Sequence, residues 1–195
     1  MTERERLREL LDELGREGQT VMDLARGRQP AEAWRLYPGE EGIFDRSTRS
    51  QFYYHAHDGR SEEDGHFHTV RLFDDHTVHL VAISMAPDGW PRALFTVNCW
   101  ATGDAPASIR DLTRYARRFQ IDERRGPPAL VRFVNLMFGA FRSEIERLQA
   151  EKMAALAVYG RAYPGRNVFE DRSLEVLSRV AVDVRRDIRV GVMPS

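Results

Sequence analysis

The sequence predicts an α+β fold in which an antiparallel meander of four to five strands is packed by N-terminal and C-terminal helices. Two patterns carry this. Apolar residues recur at helical spacing towards both ends of the chain, whereas from Ser50 to Trp100 they alternate, in stretches rich in Phe, Tyr, Val, Ile and Thr. A third observation is size: 195 residues, 42 % of them hydrophobic, suit one domain over 1–195 with a sizeable core. No repeat, low-complexity tract or linker divides the chain.

The elements follow in order. Thr2 and Glu5 have capping-box spacing, and Leu7, Leu10, Leu11 and Leu14 form one stripe of a helix. Val21, Met22 and Leu24 extend that pattern past Gly15 and Gly18, which weaken or break it. Pro30 is placed to start a short helix through Trp34, ended by Pro38-Gly39. Four strands are expected at Gln51 to His57, His66 to Phe73, Thr77 to Met85 and Arg92 to Trp100. Asp74-Asp75 and Asp88-Gly89 are turn sequences, and Asp58 to Gly65 is a longer acidic loop. Ser108 and Asp111 then open a helix through Leu112, Tyr115 and Phe119. Gly126-Pro127-Pro128 opens one long helix with a stripe of Phe133, Met137, Phe141, Ile145 and Leu148. Tyr163-Pro164-Gly165 is a loop, and the alternating valines from Leu174 to Val184 favour a fifth strand over a helix.

Composition narrows the function. Charged residues make up 30 % of the chain with a net charge of −1, so phosphate-driven binding to nucleic acid has no general electrostatic support. No stretch reaches the ~20 apolar residues of a membrane span. The charged segment from Thr2 to Leu14 lacks the apolar core of a signal peptide, and the expected location is cytoplasmic, without a membrane partner. The single cysteine, Cys99, excludes an internal disulfide; its neighbours Val97, Asn98 and Trp100 form no nucleophile motif, and a buried apolar role is expected.

The informative feature is histidine. All six lie between residues 55 and 79, four of them as two His-x-His pairs: His55 with His57, and His66 with His68. Residues two apart on a strand share a face, so each pair is co-facial. A symmetric hairpin around the 58–65 loop sets 55 opposite 68 and 57 opposite 66, with cross-strand Cβ atoms roughly 5 Å apart. Carried across the next turns, this register puts His79 opposite Val70, Asn98 opposite His79 and Trp100 opposite Thr77, all on the histidine face. Tyr53 shares that face; Tyr54 does not.

Imidazole clusters of this kind bind a divalent transition metal such as zinc, iron or copper. His55, His57, His66 and His68 are the expected ligands. Three ligands and an open position would serve a small-molecule substrate, with zinc activating water or iron and copper handling oxygen; His79 and Glu62 are then the proton-transfer candidates. Four ligands would close the site for a structural or storage role. The run Glu62-Glu63-Asp64 is the local source of a carboxylate. The alternative is a non-catalytic binding or interaction protein whose histidines form a structural or pH-responsive patch, or a metal-free acid–base site.

His55, His57, Glu62 and Gly65 partly echo the cupin signature, without its leading glycine and with the final glycine too early. His55-Ala-His57, Gly65-His-Phe-His68, His79-Leu80 and Leu94-Phe-Thr-Val-Asn-Cys-Trp-Ala-Thr-Gly-Asp104, with Phe141-Arg142, Ile145-Glu146 and Leu148 further on, resemble an uncharacterised bacterial domain-of-unknown-function family. That pattern leads one to expect a basic residue where this chain has Cys99. The resemblance implies a defined domain over most of the chain and carries no activity.

Overall fold

The computed structural model describes residues 1–27, 29–30, 32–33, 35–57 and 63–185. Helix α1 (Glu3–Arg16) starts at a complete capping box between Thr2 and Glu5 and buries Leu7, Leu10, Leu11 and Leu14. The chain does not continue helically through Gly18. It restarts with a second capping box, Thr20 with Asp23, as α2 (Val21–Arg26). Of the short helix expected from Pro30 to Trp34, residues 31 and 34 lie outside the described residues, and those described between them are not helical.

The alternating region forms an antiparallel sheet of seven strands, more than the four or five expected. The two additions are the very short β1 (Leu36–Tyr37) and β2 (Ile43–Asp45), both paired with β3 (Ser50–Ala56). Two or three residues are too few to show a period, which is why the pattern hid them. Then follow β4 (Gly65–Leu72), β5 (Thr77–Met85), β6 (Pro91–Val97) and β7 (Val176–Ala181). The order is β1-β3-β4-β5-β6-β7, so the alternating valines near the end of the chain do form a strand beside β6.

One face of the sheet carries Phe52, Tyr54, Phe67, Val81, Ile83, Met85 and Leu94, which pack with α1 and with Phe133, Val134 and Met137 of α5 (Pro128–Ala140). Phe67 and Phe133 lie 5.6 Å apart between ring centroids. The expected single long helix is two. Phe141 leaves helical geometry at φ −120° and ψ 28°, and α6 (Arg142–Ala162) begins after it. The apolar stripe runs unbroken across this joint because Phe141 and Ile145 both face the core, so spacing alone could not reveal the break.

Strand β6 ends three residues short of Trp100. Asn98 instead caps the one-turn helix α3 (Cys99–Thr102), and its amide donates to the carbonyls of Val168 and Leu174 at 2.8 and 3.0 Å. Trp100 Nε1 donates to the same Leu174 carbonyl at 3.0 Å. Both side chains therefore brace the 168–174 segment and leave the histidine face. Helix α4 (Ile109–Arg117) starts at Ser108 as its spacing predicts. Among the described residues, no helix is long and apolar enough to cross a membrane.

Candidate metal centre

The second face of the sheet holds the histidines. Strand β3 sends its odd-numbered side chains there and β4 its even-numbered ones, but the register differs from the symmetric one. His55 lies opposite His66 and Tyr53 opposite His68. His57, just past the end of β3, donates its amide to the Asp64 carbonyl at 2.8 Å. The shift is two residues, so no side chain changes face. Its cause is Gly65. Set in the strand, its bare Cα sits against the His55 carbonyl oxygen and the Tyr54 hydroxyl, closer than any Cβ could come.

His79 does lie opposite Val70, but a bulge follows: Thr69 pairs with Val81, leaving Leu80 as the extra residue. The bulge re-phases β5. His79 stays on the histidine side, Val81, Ile83 and Met85 turn to the helical core, and Ala82 and Ser84 come opposite His68 and His66. Two small side chains thus stand beside the two most central imidazoles. A groove of about 780 Å³ elsewhere, lined by residues including Arg6, Glu13 and Arg132, contains no histidine.

The imidazoles form a chain of contacts. His66 Nδ1 meets Glu63 Oε1 at 2.8 Å, His66 Nε2 meets His68 Nε2 at 2.8 Å, and His68 Nδ1 meets His79 Nε2 at 3.1 Å. With Glu63 ionised, one consistent assignment of the protons has His66 Nδ1–H donate to the carboxylate, His68 Nε2–H to His66, and His79 Nε2–H to His68. The last acceptor, His79 Nδ1, is buried with no hydrogen-bond partner among the described residues. His55 packs on the same group, its ring centroid 4.6 Å from His66 and 5.9 Å from His68. His57 lies 4.9 Å from His66. Tyr53 covers His68 at 5.2 Å. His76 is apart from the cluster, in the turn, stacked on Phe73.

Burial sets the charge state. His68 and His79 are only 5 % and 2 % exposed. Desolvation, then the nearby His66, pushes His68 well below the ordinary imidazole range; desolvation and the Lys152 ammonium do the same to His79. His55 is lowered to about 4 by burial and by His66 and His57. Burial is the largest single influence on the Glu63 carboxyl and raises it, but the hydrogen bond and charge of His66, with Ser84 and His57, together outweigh it and the net shift is downward. Imidazoles held neutral keep a lone pair available, which metal ligation requires.

Of the proton-transfer candidates, Glu62 lies outside the described residues. Its neighbour Glu63 is the carboxylate that reaches the cluster, its Oε2 lying 3.8 Å from Arg179 on β7. Asp64 points away, accepting from the Tyr54 hydroxyl and lying 3.4 Å from Arg26. His79 is inside the contact chain rather than at its mouth. Lys152, Ala82 and Ser84 carry no motif, and their place at the site follows only from the fold.

Two overlapping groups have the residue types and spacing that could hold a metal ion: His55, His66 and His68, and His57, Glu63 and His66, each with ligand atoms within 4.8 Å of one another. In a tetrahedral site with bonds of 2.0–2.1 Å, ligand nitrogens stand about 3.3 Å apart. That spacing lies between the 2.8 Å His66–His68 contact and the 4.8 Å bound, so small side-chain rotations suffice. The sequence model of a family described as Domain of unknown function (DUF6969) matches residues 1–182. No curated protein and no solved structure matches the chain.

Proposed function

The chain belongs to this family of unknown function, and we propose that it is a metal-binding protein whose His55, His66 and His68 hold one divalent transition metal. The observation that carries the reading is the convergence of three imidazole nitrogens, within 4.8 Å of one another, from two neighbouring strands. Three supports stand beside it. Burial lowers the proton affinity of His55 and His68. The two strands are rigidly paired, so the ligands are placed before a cation arrives. Glu63 accepts from His66 Nδ1, the carboxylate–histidine arrangement that turns the other ring nitrogen towards a metal.

Three nitrogens leave a fourth position for water or a small-molecule substrate. Zinc there supplies an acidified water, and iron or copper supplies redox chemistry. Around that position, Ala82 and Ser84 leave room and Tyr53 walls one side.

Elemental analysis tests the proposal. Protein loaded with zinc, copper or iron and freed of excess metal retains at least one cation per chain, and His68→Ala and His55→Ala each lose it. Metal below stoichiometry in the wild type, with no shift in thermal unfolding on adding any of the three, overturns the reading. It would favour a structural patch instead, for which the closed chain from Glu63 to His79 is the supporting observation.

A further inference from the structure

We infer that the cluster is a two-cation centre in which the His66 ring is shared, one nitrogen to each cation. This rests on the metal reading above and goes beyond it. His66 belongs to both metal-holding groups, and its two nitrogens face opposite ways. Nε2 faces His68 Nε2 at 2.8 Å, on the side of the His55–His66–His68 group. Nδ1 faces Glu63 Oε1 at 2.8 Å, on the side of the His57–Glu63–His66 group. The second position is therefore the place now taken by the proton between His66 and Glu63.

The chemistry balances simply. At the first cation His68 exchanges its Nε2 proton for one at Nδ1, facing His79 Nε2, and His79 carries its proton at Nδ1 instead. The second cation binds Glu63 Oε1, a His57 nitrogen and His66 Nδ1; the Nδ1 proton leaves to solvent, and the ring carries one negative charge between two cations. Glu63 supplies the other. It is 15 % exposed in its side chain, so its charge is poorly screened; its Oε1 already meets His66 Nδ1 at 2.8 Å, while its Oε2 lies 3.8 Å from Arg179. The second group is the more open one, since His57 and Glu63 are both only partly buried and His57 lies just past the end of β3. A whole imidazole between the cations holds them further apart than the ~3.5–4 Å of hydrolytic two-metal clamps. The pair would accordingly not grip one substrate oxygen together. The inner cation is buried among His55, His66 and His68, and the outer one meets solvent.

Metal counting on the purified full chain separates this inference from the reading it rests on. Titration with copper(II) is expected to end at two cations per chain, with an electron paramagnetic resonance intensity well below that of the total copper because the shared ring couples the two spins. The double variant His57→Ala/Glu63→Gln is expected to hold one cation with full intensity. One cation in the wild type overturns the shared centre and leaves the single site standing; none overturns both. Two cations in the double variant, or full intensity from two wild-type coppers, also overturns the shared ring. The wild-type count and intensity decide the matter even if a variant folds poorly.

Discussion

His68 and His79 are neutral because water cannot reach them, and that neutrality has a consequence in acid. An unfolded histidine takes up a proton near pH 6.5, whereas these two hold out well below it. Below pH 6.5 the unfolded chain thus binds more protons than the folded one, and stability falls as pH falls. Above pH 6.5 neither state binds, and their contribution is flat. Each such histidine changes the folding equilibrium constant about tenfold per pH unit in this window. Metal-free protein is therefore expected to lose up to about 1.6 kcal/mol per buried histidine between pH 6.5 and pH 5. Equilibrium urea unfolding at several pH values measures this, and His79→Gln should flatten the slope. A midpoint that does not move between pH 7 and pH 5 would show that the two rings are already charged or are reached by water.

At the scale of the element, the β3–β4 hairpin is what brings the ligands together, and Gly65 sets its register. Any side chain there collides with the His55 carbonyl and the Tyr54 ring, whereas a Cβ at Gly165 meets nothing within 4 Å. Gly65→Ala is expected to cost about 1–3 kcal/mol and to abolish metal retention, with Gly165→Ala as a near-neutral control. Thermal unfolding and metal analysis of both report the outcome; an unchanged Gly65→Ala protein would remove the glycine from the explanation. The strands themselves were legible in the sequence to within one or two residues at most ends, because a half-buried strand must alternate. The shared face of the four paired histidines was legible for the same reason, and it survived a two-residue error in register. The β5 bulge was not read, although its trace is visible: His79 faces the cluster at an odd position, Ala82 and Ser84 at even ones. The departure of Asn98 and Trp100 depends on carbonyls some 70 residues away, and no local pattern encodes such partners. That Glu63 reaches the His66 ring is a matter of three-dimensional geometry, which composition does not specify.

Across the whole molecule, the sheet divides two kinds of stabilisation. One face is closed by α1 and α5 over aromatic and aliphatic side chains, and the other joins the polar contacts of β4 and β5 to a small apolar cluster of Ala82, Phe95 and Val97, with Arg179 of β7 reaching Glu63. A cation on the second face binds only the folded chain, since no unfolded chain presents His55, His66 and His68 together. A metal at a hundred times its Kd then adds about 2.7 kcal/mol to stability. For a chain of this size the midpoint of thermal unfolding rises by roughly 5–10 °C. The dependence of that rise on pH separates a buried site from a surface one. Exposed imidazoles lose metal as pH falls through about 6.5, because protons compete for the same lone pairs. Here His55 titrates only near 4 and His68 resists protonation by virtue of its burial. The zinc-induced rise in midpoint is accordingly expected to persist at pH 5.5, where the metal-free protein is already weakened. A rise that disappears between pH 7 and pH 6 would place the cation on exposed side chains, such as His76 in the β4–β5 turn, and not on the sheet face.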